Sequence, residues 1–262
     1  MNKKGFSTDS FKNKNAQVTI FIIIAIIIVG LAVLLYFLIP KAGVKVVFDE
    51  KNPQGFIQSC MEDKLEETIE KVSLQGGSVN PEFYFTYNNI PIDYLCYTNQ
   101  NNSLCVIQQP ILKQHIENEI KDEIEADVTG CFNSLKESYE RRNYNVQMEP
   151  GASVVELLPN RVVANFNYVL SVSKSGQTSR HDSFRLVLNN NIYELTGIAM
   201  SIINWEASYG DADPRIYMAL YSDIEVGKNI MGDNTKIYII TDRNSGDKFQ
   251  FASKSLSSEE WY

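Results

Sequence analysis

The chain of 262 residues carries 24 Lys and Arg against 32 Asp and Glu, and 44% of its residues are hydrophobic. Counts of 14 Gly, 8 Pro and 4 Cys exclude a collagen-like chain, a disordered chain and a small disulfide scaffold. The net charge of -8 argues against a nucleic-acid partner, because non-specific binding to phosphates needs a basic surface.

An apolar run extends from Val18 to Ile39 and contains 22 residues without a charge. A helix of that length covers roughly 33 Å, which matches a bilayer core of about 30 Å. Cleaved secretory signals have shorter apolar runs that end in small residues, whereas this run ends in bulky residues followed by Pro40. We therefore predict a transmembrane helix over residues 16–39, with the lipid bilayer as its partner.

The flanking charges predict the orientation of this helix. Residues 1–15 contain four Lys and one Asp, a net charge of +3, which leaves -11 for the rest of the chain. Because short cytoplasmic flanks carry the excess of Lys and Arg, we place this basic tail in the cytoplasm and residues 40–262 outside. The predicted localisation is a single-pass protein of the cell membrane with an extracytoplasmic C-terminal domain.

The stretch from Lys14 to Thr19, which precedes a run of Ile, resembles the class III signal segments of archaeal pilins and archaellins. That resemblance implies cleavage between Ala16 and Gln17 and a helix that packs into a filament core. Asn15 separates the basic Lys14 from the small Ala16, so we predict that residues 1–15 stay attached.

A second resemblance covers most of the chain. The order of its segments is similar to that of uncharacterised single-span surface proteins of small-genome archaea, which implies an archaeal surface location and no particular activity. The segments are QVTIF (17–21), QSCME (58–62), LQGG (74–77), an acidic helix with a Cys, YGD (209–211) and KIYIITD (236–242).

After a connector over residues 40–52, the region 53–143 is predicted to be helical with a small β excursion. Apolar residues at three- and four-residue spacing predict a helix from Pro53 to about Leu74, which Gly76 and Gly77 end. Short strands follow at 83–87, 92–97 and 104–107. A second helix should run from Pro110 to about Arg142; its acidic side is interpreted as a solvated face, with a cation- or partner-binding surface as the alternative.

The region 144–262 is predicted to be rich in antiparallel strands, with one helix at Tyr193–Tyr209. Alternating residues predict one strand from 165 to 173, which a turn at 175–178 joins to a second strand at 184–188. Strands at 236–241 and 248–252 should flank a turn that resembles a calcium loop only superficially. Helices and strands do not alternate as in a βαβ fold, so the predicted class is α+β: two long helices plus an antiparallel sheet with hairpins.

All four cysteines lie outside the membrane in this topology, where disulfides are the default state. Cys96 and Cys105 flank a polar turn and can face each other across a hairpin. Cys60 and Cys131 each lie on the apolar stripe of a helix, so a bond between them would join the two helices. We therefore predict the pairs Cys60–Cys131 and Cys96–Cys105, and no zinc site, because no C-x-x-C pair is present.

No catalytic, nucleotide-binding or metal-binding motif is present, and we expect no cofactor. His115 and His181 have no ligand or nucleophile at a diagnostic spacing, and both are expected to face solvent. The segment 209–214 is interpreted as an acidic turn in which Gly210 and Pro214 stop a helix. Asn101 begins a glycosylation sequon in a polar turn.

The function favoured by these features is a membrane-anchored surface protein with a structural or protein-interaction role. Its partners would be other surface proteins or further copies of itself. One alternative is a pilin-like filament subunit that assembles through its Ile-rich helix. Another is a membrane-tethered hydrolase whose site becomes visible only in the fold, since paired carboxylates are set by distance in space.

Overall fold

A computed structural model describes residues 24–25, 27–30, 48–100 and 103–255 of the chain. Residues 24–25 and 27–30 are helical and exposed. Within the described ranges, no helix is both long and apolar enough to cross a membrane. The basic tail 1–15 and most of the predicted span 16–39 lie outside these ranges.

The domain from residue 48 onward has an α+β fold, as predicted. Its helices are α1 (Pro53–Leu74), α2 (Leu112–Glu140), α3 (Ile192–Tyr209) and α4 (Pro214–Leu220). Its strands are β1 (Tyr84–Tyr87), β2 (Ile90–Tyr97), β3 (Val106–Ile107), β4 (Asn145–Glu149), β5 (Ser153–Leu158), β6 (Arg161–Phe166), β7 (Val169–Lys174), β8 (Gln177–His181), β9 (Phe184–Asn189), β10 (Ile224–Ile230), β11 (Thr235–Asp242) and β12 (Lys248–Lys254).

The residues at the two ends of helix α1 favour the backbone conformations that start and stop a helix. Its N-cap residue Asn52 accepts a hydrogen bond from the Gly55 N–H at 2.9 Å, and Pro53 occupies the first turn, where a missing N–H costs nothing. Gly76 and Gly77 follow the helix with φ of +81° and +99°, a conformation that favours glycine. The apolar stripes of α1 and α2 pack together in the main core.

The main sheet of the described chain has the order β1-β2-β12-β11-β10, with β3 also paired to β2. One pairing differs from the predicted antiparallel sheet: β12 runs parallel to β2, with Ala252 opposite Tyr94. One face of this sheet contributes Tyr238 and Phe251 to the main core. The opposite face carries a smaller cluster of Ile92, Tyr94, Ile237 and Ala252.

The predicted single strand from 165 to 173 is wrong, because the chain changes sheet within it. Strand β6 belongs to the sheet β5-β6-β9, and β7 belongs to the sheet β4-β7-β8. The turn at Ser175 and Gly176 joins β7 to β8 and not to the strand at 184–188, which pairs with β6 instead. Alternating burial continues through the break from Phe166 to Val172, so the sequence period conceals the change of sheet.

The segment after α3 also differs from the prediction. Gly210 ends α3 with φ of +81°, as expected of a stop signal. Pro214, however, is the first residue of the short helix α4, and Asp213 caps that helix by accepting a hydrogen bond from the Arg215 N–H at 2.9 Å. Proline fits the first turn of a helix as well as the end of one, which explains the error.

Candidate functional site

A polar cavity of about 330 Å³ lies between the segment after α1, strand β2 and the first turns of α2. Its walls include Ser78, Glu82, Asp93, Tyr94, His115 and Glu119. Residues from three separate parts of the chain therefore meet here, and no short sequence motif predicts this site. We refer to this feature as the His115 cavity.

The two glycines after α1 allow the chain to approach β2 closely enough to build the cavity. A Cβ atom at Gly76 would lie 2.9 Å from the Cβ atom of Asp93, closer than side chains tolerate. The Asp93 N–H donates to the Gln75 carbonyl at 3.0 Å, which holds β2 against the turn. As a result Ser78, which follows the glycines, lies directly beside Asp93.

Ser78 lies between a carboxylate and an imidazole. Its Oγ donates to Asp93 Oδ2 at 2.7 Å and lies 2.9 Å from His115 Nε2. Because the hydroxyl has a single hydrogen and Asp93 accepts it, Nε2 must carry a proton and donate to Oγ. In a serine hydrolase the imidazole lies between the serine and the acid and removes the serine's proton. Here the order is different, so His115 cannot act as the base for Ser78 in this arrangement.

The carboxylates give the cavity a negative potential. Burial raises the pKa of Asp93 above its usual range, although the hydrogen bond from Ser78 opposes that shift. Glu119 Oε2 accepts the Val79 N–H at 2.8 Å, and Glu82 lines the outer wall. None of the described lining residues is Lys or Arg. A cation entering the cavity would therefore meet carboxylates without a competing positive group.

Two aromatic rings add a second feature suited to cations. Phe83 and Tyr94 line the same cavity, and their ring centroids lie 5.0 Å apart. The faces of such rings attract ammonium and guanidinium groups, an effect that adds to the attraction of the carboxylates. Together the rings and carboxylates can hold a cationic group that has an apolar stem.

The predicted cysteine pairs are the pairs that the structure joins. Cys60 and Cys131 form a disulfide with a Cα separation of 6.0 Å, and Cys96 and Cys105 form one with a separation of 5.3 Å. The second disulfide joins β2 to the segment just before β3, near the far end of the strand that supplies Asp93. No cysteine in the described part of the chain is free.

Both histidines differ from the expectation that they face solvent. His115 is half-buried against Ser78, and His181 is half-buried with its Nε2 atom 3.1 Å from Ser179 Oγ. The sequence does indicate that His115 has a polar neighbour, since Glu119 lies one turn away on the same face of α2. Its partners Ser78 and Asp93 could be identified only from the fold.

The acidic side of α2 is also more than a solvated face. Glu117 accepts the Leu157 N–H at 2.8 Å, and Glu119 accepts that of Val79. Glu123 and Asp127 pair with lysines of α1, at 3.4 Å from Lys71 and 3.5 Å from Lys64. These four carboxylates therefore attach neighbouring segments to α2.

The remaining predictions concern the glycosylation site, the signal-processing site, the turn at 242–247 and metal binding. Asn101, Ala16 and Gln17 lie outside the described residues. The segment from Asp242 to Asp247 forms the expected hairpin turn, in which the Asp242 N–H donates to the Asp247 carbonyl at 2.9 Å. Over the residues that the structure describes, no group of three or more His, Cys, Asp or Glu is arranged to hold a metal ion.

Comparison of the chain with known proteins found no matching family, no matching curated protein and no matching solved structure.

Proposed function

We propose that the chain is a single-pass surface protein, anchored by residues 16–39, whose extracytoplasmic domain has a structural or protein-interaction role. The observation that carries this proposal is the pairing of all four cysteines into two disulfides. Paired cysteines are typical of domains that fold in an oxidising compartment and are rare in a reducing cytosol. The uncharged run of 22 residues and the basic tail before it support the same topology.

The composition of the His115 cavity favours binding over catalysis. Its hydroxyl, imidazole and carboxyl groups are joined to one another in an order that does not activate a nucleophile. Its carboxylates and aromatic rings suit a Lys or Arg side chain presented by a partner protein. The interaction surface that we propose is therefore centred on this cavity.

The topology is tested with the full chain carrying a tag at each terminus. Protease added to intact cells should remove the C-terminal tag and leave the N-terminal tag, and lysed cells should lose both. Without reductant, the chain from these cells should resist a thiol-reactive polymer, and it should gain four labels after reduction in denaturant. Protection of the C-terminal tag in intact cells, or free thiols before reduction, would contradict the proposal.

The binding role is tested with two small probes, methylguanidinium and butylammonium, added to the purified full chain. Saturable binding should shift the NMR signals of His115 and should weaken in Asp93→Asn and in Glu119→Gln. The Gln variant keeps an oxygen that can accept the Val79 N–H, so it removes charge with little change in structure. The control Asp63→Asn changes an exposed carboxylate on α1. Equal binding by all three variants would show that the cavity does not bind these cations.

The pilin-like filament subunit remains the second candidate, because the residues from Lys14 to Thr19 precede an Ile-rich run. N-terminal sequencing of the mature protein distinguishes it from a retained anchor. A chain that starts at Gln17 would favour the filament subunit. A chain that keeps residues 1–15 would favour the anchored surface protein.

A further inference from the structure

A buried cluster of charged side chains lies at the C-terminal end of α3, remote in sequence from the His115 cavity. Its members are Glu206 of α3, Asp211 of the following loop, Lys228 of β10 and Lys236 of β11. The side chains of Lys236 and Glu206 are only 1% and 0% exposed. Fully buried charges of this kind are rare, because removing them from water is costly.

The Lys236 amine lies between two carboxylates. Its Nζ atom is 3.0 Å from Glu206 Oε2 and 2.9 Å from Asp211 Oδ1. Glu206 is held in place because its carboxylate also accepts hydrogen bonds from the Tyr238 hydroxyl and, at 3.1 Å, from the Ala212 N–H. The acyl group of Asp211 and the second acid, Glu206, are therefore both within contact distance of the nucleophilic Nζ atom.

Two sequence segments that belong to the second resemblance meet at this cluster. Asp211 ends the segment YGD, and Lys236 and Tyr238 begin the segment KIYIITD. Gly210 has φ of +81°, which ends α3 and turns Asp211 toward the sheet. Each segment thus contributes at least one polar residue to this cluster.

We propose that Lys236 and Asp211 become joined by an intramolecular amide bond between Nζ and Cγ, with Glu206 as the catalytic acid and base. Nζ attacks Cγ and forms the new N–C bond, and the bond from Cγ to one of its oxygens breaks. Glu206 takes two protons from Nζ, one before and one after the attack, and delivers both to the leaving oxygen, which departs as water. An ammonium and a carboxylate contain every atom of the amide and the water, so no oxidant or nucleotide is needed.

Lys228 has a separate role in this reaction. Its Nζ atom donates to both carboxylate oxygens of Asp211, at 2.8 and 2.9 Å. As Nζ of Lys236 adds to Cγ, negative charge develops on the acyl oxygen, and an ammonium group already in contact stabilises it. The reacting groups are preoriented by the fold, which replaces a bimolecular encounter by an intramolecular one.

The mass of the purified full chain, measured after reduction and denaturation, tests the proposal. The expected mass is lower than that of the sequence by one water molecule. Trypsin should fail to cut after Lys236, because an acylated lysine is not a substrate, and one peptide pair should contain Lys236 joined to Asp211. Glu206→Gln should restore the full mass and the cut after Lys236.

An internal control is the surface pair of Lys254 and Asp233, whose charged atoms lie 3.3 Å apart. Their peptides should stay separate in every sample. A wild-type chain of full mass that is cut after Lys236 would overturn the proposal, as would a link from Asp211 to Lys228. Since the wild-type measurement decides the question, the result does not depend on the folding of the variant.

Discussion

Cys60 and Cys131 lie at the same level of two antiparallel helices, with their Cα atoms 6.0 Å apart. One turn further along α1 and one turn earlier in α2, Lys64 lies 3.5 Å from Asp127. The disulfide and the ion pair therefore fix the same register between the helices. The ion pair is half-exposed and contributes little, so most of the constraint comes from the covalent bond.

Loss of this disulfide should lower the free energy of unfolding by about 4 kcal/mol in Cys60→Ser/Cys131→Ser, because the bond closes a long loop in the unfolded chain. The matched variant Cys96→Ser/Cys105→Ser opens a much shorter loop and should cost about 2.5 kcal/mol. The sequence separations of the two pairs are 71 and 9 residues. Urea unfolding of both double variants measures the difference, and an equal or reversed order would contradict the loop-length argument.

The close approach of two chain segments at Gly151 should make that glycine essential. A Cβ atom there would lie 1.8 Å from the carbonyl oxygen of Asn167, at the point where the chain changes sheet. Gly151→Ala should therefore lower the free energy of unfolding by about 3 kcal/mol. The measurement is chemical unfolding of the variant beside the wild type.

Gly130 provides the matched control for that substitution. It lies within α2, and a Cβ atom there would meet nothing within 4 Å. Gly130→Ala should stabilise the protein by about 0.5–1 kcal/mol, because alanine loses less backbone entropy in a helix. Similar effects of the two substitutions would show that the packing at Asn167 is looser than described.

The three long helices and the cysteine pairs could be predicted because their signals are local, whereas the short helix α4 was missed. Asn52 and Pro53 define where α1 begins, and the helical period places Cys60 and Cys131 on apolar stripes. Strand partners are determined by contacts between distant segments, which the period of two does not encode. For that reason the strand at 184–188 was assigned to the wrong partner, although its existence was predicted.

The candidate site could be predicted only in part, for a similar reason. The spacing of His115 and Glu119 places them on one face of α2, but Ser78 reaches His115 only because Gly76 lets the chain turn against β2. The buried pairing of Lys236 with Glu206 gave no signal either, since it joins β11 to α3 across 30 residues. Such polar clusters are created by tertiary packing.

Ser78 should not behave as a hydrolase nucleophile. Its hydroxyl donates to Asp93, and His115 is on the wrong side to remove the proton. A fluorophosphonate probe, which labels activated serines, should therefore leave the wild type at the background level of Ser78→Ala. Labelling of the wild type that disappears in Ser78→Ala would support the hydrolase alternative.

Asp93 should make the stability of the protein depend on pH in a direction opposite to that of most carboxylates. Burial raises the pKa of Asp93 above 3.8, the ordinary value, despite the hydrogen bond from Ser78. The folded state thus binds more protons than the unfolded state between the two pKa values, and stability is lost as pH rises through the folded pKa.

Asp93→Asn removes this titration and keeps an oxygen that can accept the Ser78 hydroxyl hydrogen. The difference in free energy of unfolding between Asp93→Asn and the wild type should therefore change in favour of the variant as pH rises above 3.8. Asp63→Asn, an exposed control on α1, should show no such trend. Urea unfolding at a series of pH values measures both differences. A trend in favour of the wild type would mean that His115 or Ser78 lowers the pKa of Asp93 more than burial raises it.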